Sequence, residues 1–209
     1  MTTQRAERSP FYTFARIVMG IVFALIYPVR AHNKERMDRD APFIIVSSHS
    51  SMLDPMAIAV KCKRHEIRFL GKKELTQHPV VRWVVNHLHM ITLDRHATDI
   101  GAIRAALDVL KQGHVVGIFP EGGRRKPENA MKDLENGVSL LTLRAKVPLI
   151  PVHFRGPFKP FRTVHMYVGE PIAYGDLLES GINRATCDAL TDRIAQTMLS
   201  LGSENVENT

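Results

Sequence analysis

His49 and Asp54 carry the strongest chemical signal in the chain, in the stretch Ser47-Ser48-His49-Ser50-Ser51-Met52-Leu53-Asp54-Pro55. The apolar run Phe43-Ile44-Ile45-Val46 leads directly into it. A histidine leaving the end of a buried strand stands at the mouth of a cleft, and a carboxylate five positions later is able to orient it. Imidazole is the commonest general base, and it works best when a partner holds its second nitrogen. A carboxylate in that place fixes the tautomer and stabilises the imidazolium that forms, as in the His–Asp pair of a serine hydrolase. Four serines, Ser47, Ser48, Ser50 and Ser51, surround His49, but none lies in a G-x-S-x-G elbow. The hydroxyl to be activated is therefore expected to belong to a substrate. On spacing alone a plainer reading stands beside this one: Asp54 caps a helix whose first turn holds Pro55, and His49 is a loop residue.

A second segment, Phe119-Pro120-Glu121-Gly122-Gly123-Arg124-Arg125, offers an anion site. Gly122 and Gly123 let the backbone approach a ligand closely, and Arg124 has the fork geometry that grips a phosphate. Glu121 is a candidate for holding a substrate hydroxyl or an arginine. The alternative is a glycine turn followed by a solvated basic patch, Arg124-Arg125-Lys126.

These side chains need a scaffold, and the rest of the chain reads as one. Its 209 residues are enough for a single domain with a full core. Hydrophobic residues make up 44% and charged residues 23%, which fits a globular protein. The net charge of +7 favours an anionic partner: a membrane, an acidic ligand or an acidic carrier. Nucleic acid is not the expected partner, because the basic residues are dispersed and no RRM, KH or zinc-finger signature occurs. The two cysteines, Cys62 and Cys187, form no CxxC pair, so neither a disulfide framework nor a metal site is expected, and a reducing cytoplasm is the simple reading. His87 and His89 are close in sequence but lack further ligands to complete a metal set. No cofactor is expected.

Residues Phe11 to Val29 are uncharged apart from Arg16 and are flanked by Arg5, Arg8, Arg30, Lys34 and Arg36. A spanning helix needs roughly 20 apolar residues, so the segment is marginal as a span. An interfacial helix or a short span, with basic flanks touching anionic lipid, is favoured over a buried core helix. It is also favoured over a secretory signal, for which Pro28-Val29-Arg30-Ala31 makes a poor cleavage site.

Beyond the polar, basic segment Ala31–Asp40, strands and helices alternate. Strands are predicted at Phe43–Ser47, Ile67–Leu70, Met90–Leu93, Val115–Phe119, Leu149–Val152 and Thr163–Val168. A helix opens at Asp54-Pro55 with Asp54 as N-cap, and others cover Val80–Leu88, Gly137–Lys146 and Arg184–Leu201. The clearest helix begins with Asp99 as its cap, repeats Ile100, Ile103, Leu107 and Leu110 at helical spacing, and ends at Gly113. The expected fold class is α/β: a mixed, largely buried β-sheet with helices on both faces, plus an N-terminal membrane-associating helix. The expected organisation is an apolar helix with its basic flank over residues 1–40, one domain over 41–201, and a disordered polar tail over 202–209. Open α/β sheets bind ligands outside the carboxyl ends of their strands, which places His49 and Pro120–Gly123 at one cleft if their strands are neighbours.

Taken together, the segments resemble the 1-acyl-sn-glycerol-3-phosphate O-acyltransferases, the lysophosphatidic acid acyltransferase family of glycerolipid acyltransferases. His49 and Asp54 match its first motif, a His, four residues and an Asp. Ile91-Thr92-Leu93-Asp94-Arg95 is similar to the second, Phe119 to Arg124 to the third, and Val147-Pro148-Leu149-Ile150-Pro151-Val152 to the fourth. Gly71-Lys72-Lys73-Glu74-Leu75 matches a basic element between the first two. The resemblance runs from about Phe43 to Val152 in the family order. Two departures stand out: Ser48 where Asn often precedes the His, and Gly123 where Thr is usual. Neither touches the catalytic pair, but either bears on the choice of acceptor.

The resemblance implies an acyltransferase of phospholipid synthesis. It would move a fatty acyl group from acyl-CoA or acyl carrier protein to the sn-2 hydroxyl of 1-acyl-sn-glycerol 3-phosphate (lysophosphatidic acid), giving phosphatidic acid. It implies His49 as base, Asp54 as its partner, Arg95, Glu121, Gly122, Gly123 and Arg124 at the acceptor phosphate, and Lys72 or backbone N–H groups as oxyanion donors. The bilayer is the implied partner, met at the cytoplasmic face of the cell membrane by a peripheral helix or one short segment. The same fold acting on another lysolipid or an amine-bearing lipid is the nearest alternative. A lipid thioesterase and a non-catalytic membrane-binding protein are more distant ones.

Overall fold

The structure, a computed structural model, describes residues 9–93, 100–121 and 137–203. Helix α1, Pro10–Leu25, opens with Ser9 as N-cap, whose Oγ accepts from the Tyr12 N–H, and with proline in its first turn. After it come β1 (Val29–His32), β2 (Ile44–Ser47), α2 (Asp54–Lys61), β3 (Ile67–Lys72) and α3 (Pro79–His87). Next are β4 (Ile91–Leu93), α4 (Ile100–Lys111), β5 (Val115–Ile118), α5 (Gly137–Ala145) and β6 (Leu149–Arg155). The chain closes with β7 (Val164–Val168), α6 (Gly175–Glu179) and α7 (Arg184–Ser203).

The strands form one seven-stranded sheet in the order β1-β7-β6-β2-β5-β3-β4. β6, β2, β5, β3 and β4 are mutually parallel, while β7 runs antiparallel to β6 and carries β1 parallel to itself. The runs Ile44–Val46 of β2 and Val115–Ile118 of β5 are apolar and buried because both of their faces are covered, the usual state of a parallel sheet. Along β2, Ile44 and Val46 join one core with Ile103 and Leu110 of α4, Leu141 of α5 and Leu190 of α7. Ile45 joins the other, with Phe23 of α1 and Ala57 and Ile58 of α2. Helices therefore cover both faces of a mixed sheet, as expected.

Three features differ from the sequence expectation. Residues Ala31–Asp40, read as a polar, basic flank, include the end of β1 and a short 3-10 turn over Lys34–Met37. Val29 is buried beside its partner Val164 while Arg30 is exposed, the pattern of an edge strand. The short α6 had no periodic signal. The last helix extends through Gly202 and Ser203, the first two residues of the tail expected over 202–209; residues 204–209 lie outside those described. Gly113, at φ 79°, ends α4 as predicted. Asp99, its expected cap, lies outside the described residues.

α1 is neither a span nor a core helix. Its 16 residues reach about 24 Å, short of the roughly 30 Å hydrocarbon layer. Among the described residues no helix is long and apolar enough to cross a membrane, so the short membrane segment considered from sequence is set aside. One side of α1 buries Tyr12 and Phe23 against the domain, and the other leaves Phe14, Ile17, Ile21 and Leu25 exposed.

Candidate active site

The sheet order puts the chemically marked segments side by side. His49 follows the carboxyl end of β2, Pro120 and Glu121 follow that of β5, and Lys72 ends β3. These three strands are adjacent and parallel, so one edge of the sheet collects the residues, the expected location in an open α/β fold. Arg95, Gly122, Gly123 and Arg124 lie outside the described residues.

β2 ends at buried Ser47, buried Ser48 follows, and the chain then turns through Ser50–Leu53 into α2. Ser51 makes the turn compact: its carbonyl accepts from the Asp54 N–H at 3.2 Å and its Oγ from the Leu53 N–H at 3.2 Å. The helix has Leu53 as its N-cap residue and Asp54 as its first helical residue, so Asp54 is not the cap that the sequence predicted. Its carboxylate is drawn instead into the preceding loop. Oδ2 accepts the backbone N–H groups of Ser50 at 2.8 Å and Ser51 at 2.7 Å, and lies 3.1 Å from Nδ1 of His49. Asp54 is fully buried, and its position in the first turn of α2 adds the favourable field of the helix terminus. Charge-assisted hydrogen bonds to Oδ2 replace part of the hydration the buried group loses, while Oδ1 has no hydrogen-bond partner among the described residues.

An ionised carboxylate only accepts, so Nδ1 of His49 carries the proton it donates to Asp54, and Nε2 is left with a free lone pair. The His49 side chain is 16% exposed, enough to meet a substrate while remaining fixed. A second constraint comes from the residue after β5: the Phe119 ring lies 4.3 Å from the imidazole, centroid to centroid, and stacks in turn on Phe69 of β3 at 5.9 Å. Among the described residues no serine hydroxyl bonds to His49; Ser47 Oγ donates to the Ser48 carbonyl and Ser51 Oγ serves the turn. Glu121 is 4% exposed, buried at the same sheet edge.

Two functional contributions escaped the sequence reading. The sequence draws attention to the hydroxyls of Ser50 and Ser51, yet it is their backbone N–H groups that hold the carboxylate. Phe119 belongs to the third motif by sequence, and the structure makes its ring the surface on which the imidazole rests. Its place immediately after a buried strand next to Pro120-Glu121 was the available signal.

A histidine held by a buried carboxylate at the edge of an α/β sheet defines the site of a general-base enzyme. A family model described as Acyltransferase matches residues 28–155, and the chain belongs to that family; it is an acyltransferase. The 1-acyl-sn-glycerol-3-phosphate acyltransferase of Bacillus subtilis (strain 168) is 27% identical over 194 residues, 88% of this chain and 96% of the relative. That of Streptococcus pneumoniae (strain ATCC BAA-255 / R6) is 27% identical over 205 residues, 93% of this chain and 74% of the relative. Among solved structures, the 1-acyl-sn-glycerophosphate (LPA) acyltransferase PlsC from Thermotoga maritima shares the fold. The TM-score is 0.67 at 21% identity, covering 95% of this chain and 78% of that one.

Proposed function

We propose that the protein acylates the sn-2 hydroxyl of 1-acyl-sn-glycerol 3-phosphate, giving phosphatidic acid, with acyl-CoA or acyl carrier protein as donor. The names of its relatives in Bacillus subtilis and Streptococcus pneumoniae support the acceptor. The observation that carries the chemistry is the 3.1 Å contact of His49 Nδ1 with a buried carboxylate oxygen that also accepts two backbone N–H groups.

Nε2 of His49 takes the proton of the acceptor hydroxyl while Asp54 holds Nδ1 and stabilises the imidazolium. The oxygen attacks the thioester carbonyl, and backbone N–H groups with Lys72 stabilise the tetrahedral oxyanion. Collapse expels the thiolate, which the His49 imidazolium protonates, returning the base to its starting state. Arg95 and Arg124 hold the phosphomonoester, and Glu121, Gly122 and Gly123 shape the acceptor pocket. No side chain of the protein becomes acylated. The exposed stripe of α1, Phe14, Ile17, Ile21 and Leu25, rests in the headgroup region at the cytoplasmic face of the membrane, where acceptor and product reside.

Mass spectrometry of the products formed from a mixed pool of thioesters and lysolipids tests this reading. Phosphatidic acid as the dominant product supports it. Free fatty acid as the dominant product assigns a thioesterase, and acylation of a different lysolipid reassigns the acceptor.

A further inference from the structure

The exposed stripe of α1 does not stop at that helix. At 100° per residue, Phe14, Ile17, Ile21 and Leu25 share one side of α1, with buried Tyr12 and Phe23 on the other. Phe11 falls on the flank of the stripe, roughly 60° round from Phe14. Its ring meets the Trp83 ring of α3 edge to face at 4.9 Å and the His87 ring at 5.3 Å. α3 is amphipathic in its own right. It buries Val85, while Val80 (64% exposed) and Trp83 (51% exposed) point away from the domain, and Trp83 lies 4.1 Å from His87 one turn on. Apolar side chains scattered singly over a surface need no explanation, but a continuous run across two helices does.

We propose that α3 is a second lipid-contacting element, with Val80 and Trp83 entering the headgroup boundary beside α1. This rests on the reading of α1 as a membrane-surface helix. Continuity through Phe11 puts both helices against one surface. The chemistry of the surroundings selects its composition. Tryptophan, with an apolar body and one polar N–H, suits the headgroup level. Arg82 adjoins Trp83, Lys73 precedes the helix, and the chain carries a net charge of +7. Each such cation near an anionic leaflet adds to binding. The partner is thus a bilayer containing anionic phospholipid. Two contacts in place of one also fix the tilt of the domain, so that the sheet edge bearing His49 keeps a constant height above the bilayer.

Trp83 is the sole tryptophan of the chain, so the unmodified protein carries its own probe. The experiment mixes the full chain with vesicles of phosphatidylcholine and phosphatidylglycerol, with and without brominated phosphatidylcholine. It reads sedimentation and tryptophan emission together. The expected result is co-sedimentation, a blue shift, and about a twofold loss of emission to the brominated lipid, as for an indole at headgroup depth. Co-sedimentation with unshifted, unquenched emission overturns the role of α3 and leaves the role of α1 standing. Absence of co-sedimentation overturns both. A blue shift without vesicles that grows with protein concentration, alongside a doubled mass in ultracentrifugation, assigns the face to a second copy and overturns the proposal. Val80→Asp keeps the probe at an exposed site and is expected to weaken vesicle partitioning about threefold or more; unchanged partitioning in that variant also overturns it.

Discussion

Oδ2 of Asp54 lies 3.1 Å from Nδ1 of His49 while accepting the backbone N–H groups of Ser50 and Ser51 at 2.8 and 2.7 Å. One buried oxygen thus fixes both the imidazole and the loop that carries it. Asp54→Asn separates the two duties. The amide oxygen still accepts from the loop, but the charge that stabilises the imidazolium is gone. The variant is expected to fold with a melting temperature near wild type and to lose roughly 10³–10⁴-fold in kcat, with little change in KM. Steady-state kinetics with thermal denaturation checks it; a loss confined to KM contradicts it.

The aromatic support behind His49 is sensitive to a residue that touches no substrate. Gly117 lies in β5, and a Cβ added there would come within 2.4 Å of the Phe69 ring and 3.0 Å of Ile67 Cγ2. Phe69 stacks on Phe119, which in turn packs on His49. Gly117→Ala is expected to destabilise the protein by about 1–3 kcal/mol through overpacking and to lower kcat as the stack shifts. Phe69→Leu in the same chain is expected to restore part of the stability. Urea denaturation of the single and double variants checks the coupling.

Much of this arrangement was legible in the sequence. The central strands were, because a parallel strand covered on both faces is a short, uninterrupted apolar run, as in Phe43–Val46 and Val115–Ile118. Their adjacency was expected only conditionally, and the sheet order supplies it. β1 was not legible: Val29-Arg30-Ala31-His32 alternates like any surface segment, and its strand character comes from pairing with β7. The His49–Asp54 pair was visible from residue types and spacing. The direction in which Asp54 turns its carboxylate was not, because capping a helix and bonding back to a loop require the same residue at nearly the same place. The half-buried state of α1 was hidden for a related reason, since apolar residues occupy both of its sides and only packing against α2 distinguishes them.

Burial of His153 gives stability a pH dependence with a definite sign. Desolvation holds its imidazole below the ordinary histidine range, and its Nδ1 is buried with no hydrogen-bond partner among the described residues. The unfolded chain therefore takes up a proton first as the pH falls. Stability is full above the ordinary value of ~6.5, declines as the pH falls from there to the lower folded-state value, and levels off below it. His114, lowered by burial and then by Arg68, adds a slope of the same sign. Urea midpoints at pH 7 and pH 5 are expected to fall in the wild type and to fall less in His153→Gln, with the remaining slope due to His114 and other histidines.

Arg124 and Arg95 are proposed to bind the acceptor before reaction and to hold it equally through the transition state. Arg124→Ala is then expected to raise the KM for lysophosphatidate about tenfold or more while changing kcat little. Arg124→Lys should recover only part of the loss, since an ammonium lacks the two-pronged geometry for a phosphate. Saturation curves in acceptor at fixed donor check this; a pure kcat effect would assign Arg124 to the reacting centre instead.

The central claim is that His49 removes the proton of a lipid hydroxyl. The direct measurement is transfer of a labelled acyl group from a thioester to lysophosphatidate by purified His49→Ala, with its melting temperature confirming the fold. Loss of at least about 10³-fold in turnover, with acceptor binding retained, is the predicted result. Turnover equal to wild type would contradict it.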